Sequence, residues 1–192
     1  EAQKIMDAGT AKKLIEKNLS YDEVKRLTVK LVQHPSPQTG LLEAEPQVLS
    51  LIRDVIKPEL EQSRLKPFVD KMGNLILHLR GRARSDRLTL VGYAMCAAPS
   101  TMQNPYSGEI VDGATYKLDG ECVWGRGACE QKGSLAAMMA AIKFIGASKV
   151  ELPSDLYFVV STAGETGRHD SLAYVLDHDN VESEWCVIDG PP

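Results

Sequence analysis

Apolar residues recur at helical spacing over the first sixty positions and give way to short extended runs beyond them. Ile5, Met6, Leu14, Ile15 and Leu19, set among Lys12, Lys13, Glu16 and Lys17, predict an amphipathic helix over residues 2–18. Asp22 is a candidate cap for a second helix through Val24, Leu27, Leu31 and Val32, which must end near His34 because Pro35 and Pro37 follow. Residues 43–62 predict a third, with Val48, Leu49, Ile52, Val55 and Ile56 on one side and a kink at Pro58.

Extended segments are expected at 65–69, 75–79 and 88–92, separated by a turn at Met72, Gly73 and Asn74 and by a polar loop over 82–87. The run Leu88, Thr89, Leu90, Val91 is mostly apolar on both faces, as a strand inside a sheet should be. A loop carrying Pro99, Pro105 and Gly108 precedes a helix over 131–145, rich in alanine and so able to press closely on a sheet. A strand over 156–161, a short helix over 171–176 and a strand over 185–188 complete the chain. This alternation predicts an α/β fold: a three-layer, mainly parallel sheet with helices on both faces and right-handed crossovers.

Composition narrows the function classes. The 192 residues are 43% apolar, with 26 acidic against 22 basic side chains and a formal charge of −4, the balance of a folded domain. The scattered Lys and Arg offer no footprint for a nucleic-acid backbone. No apolar run approaches the roughly 18 residues that span a bilayer, which argues against a membrane or secreted protein. Cys96, Cys122, Cys129 and Cys186 contain no CxxC pair, and read as free thiols of a reducing cytoplasm. Length permits a helical arm over residues 1–20 and one domain over 21–192.

In a parallel sheet, ligands collect outside the carboxyl ends of the strands. That rule selects Tyr93 and Met95, Gly164 and Glu165, and Asp189 and Gly190. Glu130 joins them at the start of the long helix, where free amides favour a carboxylate. Glu130, Glu165 and Asp189 would then converge on one crevice, where a bound cation, a basic neighbour such as Arg126 or Lys132, or protonation would relieve their repulsion. The simpler reading of the same three is a helix cap, a loop carboxylate and a solvated turn. His169, Cys129 and Cys96 are secondary candidates, with surface or packing roles as the simpler readings.

Four blocks then fall in a recognisable order: Asp70 to Leu75, the strand Leu88 to Gly92, the run Trp124 to Gly133 with Leu135, Ala136 and Ala137, and Gly164 to Gly167. Over about residues 20–192 the chain resembles the zinc-dependent aminoacylase, carboxypeptidase and deacylase family that includes acetylornithine deacetylase and succinyl-diaminopimelate desuccinylase. The resemblance implies a metallopeptidase-like catalytic domain with two zinc ions, interrupted by a smaller dimerisation domain. This chain would stop close to where that insertion begins, so a final histidine ligand would lie outside it, and the full-length protein would be a homodimer.

Carried over residue by residue, the resemblance places Tyr93 where the first metal histidine is expected and Met95 where a carboxylate orients it. The bridging aspartate falls on Glu130, the general base on Gly164, the adjacent metal ligand on Glu165, and the third strand-end acid on Gly190, next to Asp189. A neutral phenol is a poor zinc ligand beside imidazole, and a thioether cannot accept the imidazole N–H. Glycine cannot take a proton from metal-bound water. The surviving oxygens of Glu130, Glu165 and Asp189 would suit Mg²⁺, Ca²⁺ or Mn²⁺ better than Zn²⁺. The expectation is therefore a hydrolase of amide bonds in N-acyl amino acids or short peptides with a degenerate metal site. The alternative is an inactive member serving as a binding or subunit-interaction module. A third reading is lyase or isomerase chemistry with Tyr93 as acid.

Overall fold

A computed structural model describes residues 8–18, 20–148, 150–164 and 169–189. Its core is a five-stranded mixed, mainly parallel sheet in the order β1-β2-β6-β3-β7. These strands are β1 (Phe68–Val69), β2 (Leu75–Leu79), β3 (Gly81–Tyr93), β6 (Leu152–Ser161) and β7 (Trp185–Ile188). Strand β3 runs parallel to both β6 and β7, while β2 pairs antiparallel with β6 and with β1. A separate hairpin of β4 (Glu109–Asp112) and β5 (Glu121–Trp124) lies within the stretch expected to be loop. Its strands are short and none of their residues is buried, so they lack the buried alternation that marks a strand in a sequence.

Helix α1 (Ala8–Asn18) is shorter than the predicted 2–18, of which residues 2–7 lie outside the described residues. Helix α2 (Tyr21–Val32) is capped by Ser20, whose hydroxyl accepts from the Asp22 amide at 3.0 Å, so Asp22 sits in the first turn and is not the cap. The third helical region is broken into α3 (Pro46–Ser50), a wider π-helical stretch (Leu51–Ile56) and α4 (Lys57–Glu61). Pro58 has no N–H to give to the preceding turn and its ring crowds the carbonyl four residues back. The widened turn, in which the Lys57 amide reaches the Ile52 carbonyl, accommodates it without breaking the apolar face of Val48, Ile52, Ile56 and Leu60.

Helix α5 (Lys132–Ser148) packs on β3 and α2, with Leu135 and Met138 closing on the bare Gly92. Its far end is fixed by Glu59, a buried carboxylate that accepts from Arg26 at 2.6 Å and Lys30 at 2.6 Å of α2 and from Lys143 at 2.5 Å. Helix α6 (Asp170–His178) lies on the opposite face, where Ser171 and Ser161 share a hydroxyl hydrogen bond of 2.8 Å and Val175 is buried. The layers are thus those the alternation predicts.

The polar stretch 82–87, expected as a loop, belongs to β3. It pairs irregularly, with a register shift between Ala83 and Leu88 and a left-handed Asp86 at φ 57°. Buried Asp155 on β6 holds this irregularity in place, accepting from the Gly81 amide at 2.8 Å and from Arg84 at 2.5 Å, with His78 at 2.9 Å. Among the described residues, no helix is long and apolar enough to cross a membrane.

Candidate active site

The candidate cleft is the region where β3, β6 and β7 end together. Beyond Tyr93 the chain stays extended: the Ala94 amide reaches the Ser161 carbonyl at 3.0 Å, and Cys96 pairs through its backbone with Ser36 and Gln38. Tyr93, Ala94, Met95 and Cys96 are all buried as a result. On the far side the Asp189 amide donates to the Val91 carbonyl at 2.9 Å, which sets Asp189 directly after β7 and 8% exposed.

Behind the cleft, the turn Asp70 to Asn74 explains its sequence. One Asp70 carboxylate oxygen accepts from the amides of Met72 and Asn74, both at 2.8 Å, and Gly73 takes the left-handed φ of 88°. The buried Asn74 amide then donates to the Ser171 carbonyl at 3.0 Å and accepts from the Thr162 amide at 3.2 Å. One side chain thereby locks the end of β6 to the start of α6. The sequence marks Asn74 only as a turn residue and motif member; its place after Gly in a tight turn is shared by many residues and does not reveal the tie between β6 and α6.

Tyr93 is 6% exposed. Burial pushes its phenol above the ordinary range, and the negative charges of Asp189 and Cys186 add to the effect. The ring lies 6.5 Å from that of His169, which is exposed at the head of α6 with φ 53°. Gly164 faces the same ring: a Cβ built on it would stand 2.8 Å from Cδ1 and 2.9 Å from Cγ of Tyr93. Met95 is fully buried.

Glu130 lies in the turn just before α5, not within its first helical turn. Arg126 pairs with Oε1 of Glu130 at 3.2 Å, while Oε2 is buried with no hydrogen-bond partner. Arg126 is in turn oriented by its Nε, which donates to the Ala97 carbonyl at 3.1 Å. Two residues on, Lys132 is wholly buried, donates to the His34 carbonyl at 2.8 Å and stands 5.9 Å above the Tyr106 ring. Burial lowers its pKa to about 8, against a smaller opposing effect of Cys96. The sequence offered Lys132 only as a possible neutraliser of the carboxylates; its observed partner is a backbone carbonyl.

Of the three proposed ligands the structure describes Glu130 and Asp189, whereas Glu165 and Gly190 lie outside the described residues. Among the described residues, no group of three or more His, Cys, Asp and Glu side chains stands close enough to hold a metal ion. Cys129 and Cys186 are exposed and Cys96 is buried, all three as free thiols.

A mainly parallel sheet with helices on both faces defines the class as an α/β domain. Residues 97–192, half of the chain, match the model of peptidase family M20/M25/M40, and the chain belongs to that family. The fold agrees with solved members. Human carnosine dipeptidase 1 superposes with a TM-score of 0.68 at 18% identity, covering 92% of this chain and 40% of its own. An M20 family metallo-carboxypeptidase from Sulfolobus solfataricus gives 0.69 at 17%, covering 88% and 37%. A tripeptidase from Staphylococcus aureus gives 0.63 at 18%, covering 89% and 44%. The chain therefore spans less than half the length of these proteins.

Proposed function

We propose that this chain forms the leading part of a catalytic domain built for amide bonds of N-acyl amino acids or short peptides, in a member whose zinc cage has been dismantled. Residues 1–20 form an arm, and 21–192 belong to the domain, which serves as a binding or subunit-interaction module in a cytoplasmic homodimer. The observation that carries this reading is the buried phenol of Tyr93, at the position where the family resemblance implies imidazole. Burial beside Asp189 keeps that phenol protonated at neutral pH, and a protonated phenol is a weak zinc donor. Met95 beside it accepts no N–H bond, and Gly164 holds no proton. These residues do not fit an imidazole-anchored zinc pair.

A second reading is favoured by the orphaned Oε2 of Glu130. Here Glu130, Glu165 and Asp189 hold a divalent ion, zinc or more readily manganese or magnesium, with Arg126 fixing the orientation of Glu130. Such an ion, when bound, would polarise a carbonyl or a water.

Elemental analysis of protein purified without chelator, with hydrolysis assays on N-acyl amino acids and dipeptides, separates the two. The first reading expects metal far below one equivalent and no turnover above that of Glu165→Ala. Near-stoichiometric metal that disappears in Glu165→Ala would overturn it in favour of the second.

A further inference from the structure

Glycine at 164 has a spatial cause, not a conformational one. Of the glycines whose backbone takes the left-handed region, Gly73, Gly108, Gly120, Gly125 and Gly127 are examples, and Gly164 is not among them. An L-residue could adopt its backbone. What excludes a side chain is the ring of Tyr93: a Cβ at 164 would lie 2.8 Å from Cδ1, 2.9 Å from Cγ and 3.1 Å from Cε1. Real Cβ atoms essentially never approach another heavy atom this closely outside their own chain neighbours, so the ring would have to move. It has little room to do so. Tyr93 is 6% exposed, its backbone is fixed in register opposite Ser161, and the following amide is bonded to the Ser161 carbonyl.

We infer that Tyr93 and Gly164 are one sterically coupled unit, in which the aromatic ring occupies the space that any side chain at 164 requires. Tyr93 ends β3 and Gly164 lies in the bend three residues beyond β6, so the two share no chain neighbour, yet the identity of one restricts the other. The consequence for the cleft is specific. A carboxylate cannot be placed at 164 while the ring remains, so a proton acceptor cannot be restored there by a single substitution. The order of changes matters: the ring must go first. Tyr93 therefore does more than replace a ligand; it closes the neighbouring position to a general base. This deepens the reading of the cleft as a dismantled site, and rests on it only for the role assigned to position 164.

A double-mutant cycle tests the coupling through stability, with no dependence on activity or metal. Urea unfolding is measured for the unmodified chain, Gly164→Ala, Tyr93→Ala and the double variant, with Tyr93→Val as a second background lacking the ring. Gly164→Ala is expected to reduce the folding equilibrium constant about ten-fold to a hundred-fold when Tyr93 is present. In either ring-free background the same change should cost less than about three-fold. If Gly164→Ala fails to fold alone but folds when combined with Tyr93→Ala or Tyr93→Val, the inference stands. An equal cost in all backgrounds, or no cost beside Tyr93, overturns it. Failure of the cycle would leave the metal and turnover measurements untouched, and their failure would leave the coupling intact.

Discussion

Lys132 gives the sharpest quantitative expectation. Its side chain is wholly buried and its ammonium has one backbone acceptor, the His34 carbonyl. Desolvation lowers its pKa from 10.5 to about 8. Folding therefore releases protons from this group between pH 8 and 10.5, because the unfolded chain holds the proton more tightly. Stability should rise with pH through that window, and the cost of burying the charge should be fully present below pH 8. At 1.36 kcal/mol per pKa unit the full cost is about 3 kcal/mol, of which most is relieved by pH 10. Lys132→Met keeps the length and apolar stem while removing the titration. It also strands the His34 carbonyl, at a cost of about 1–3 kcal/mol. The two effects nearly cancel at pH 7, so the variant should be within about 2 kcal/mol of the parent there. The diagnostic is the slope. Urea unfolding at pH 7 and pH 10 should show the parent gaining about 2–3 kcal/mol relative to Lys132→Met, since every other titrating group is common to both. Parallel pH profiles would refute the assignment of a buried charged amine at the start of α5.

Two further expectations concern the carboxylates that hold the layers together. Glu59 is buried among three cations, and those hydrogen bonds hold its carboxyl at about 2 despite the opposing effect of burial. The stabilisation is present above pH 4.5 and lost as pH falls through about 2, so Glu59→Gln should cost about 3 kcal/mol at pH 7 and progressively less in acid unfolding curves. Asp155 accepts the Gly81 amide at the irregular start of β3, and Asp155→Asn should raise the hydrogen-exchange rate of that amide at least several-fold, while amides of Val91 and Val159 stay protected.

The division between what could be read and what could not follows the range of the interactions. The helices α2 and α5 and the strands β2, β6 and β7 were legible because each carries its own periodicity or apolar run. The cap at Ser20 was missed because Asp22 is an equally good local candidate, and only the backbone path selects between them. The continuation of β3 through residues 82–87 was missed because its polar, exposed side chains are paid no attention by periodicity; the pairing depends on Asp155, which is 71 residues distant from Arg84. The hairpin β4–β5 escaped for the same reason, being held by backbone pairing between residues of which none is buried.

The ordered motifs around Tyr93, Met95 and Gly164 sufficed to point to the family, because motif order and residue chemistry can be read along the chain without knowing where each side chain sits. Tertiary structure alone decided that Asn74 ties β6 to α6 and that the Tyr93 ring stands over Gly164. Those are distances between segments separated by tens of residues, and a one-dimensional pattern carries composition and period but no such distances.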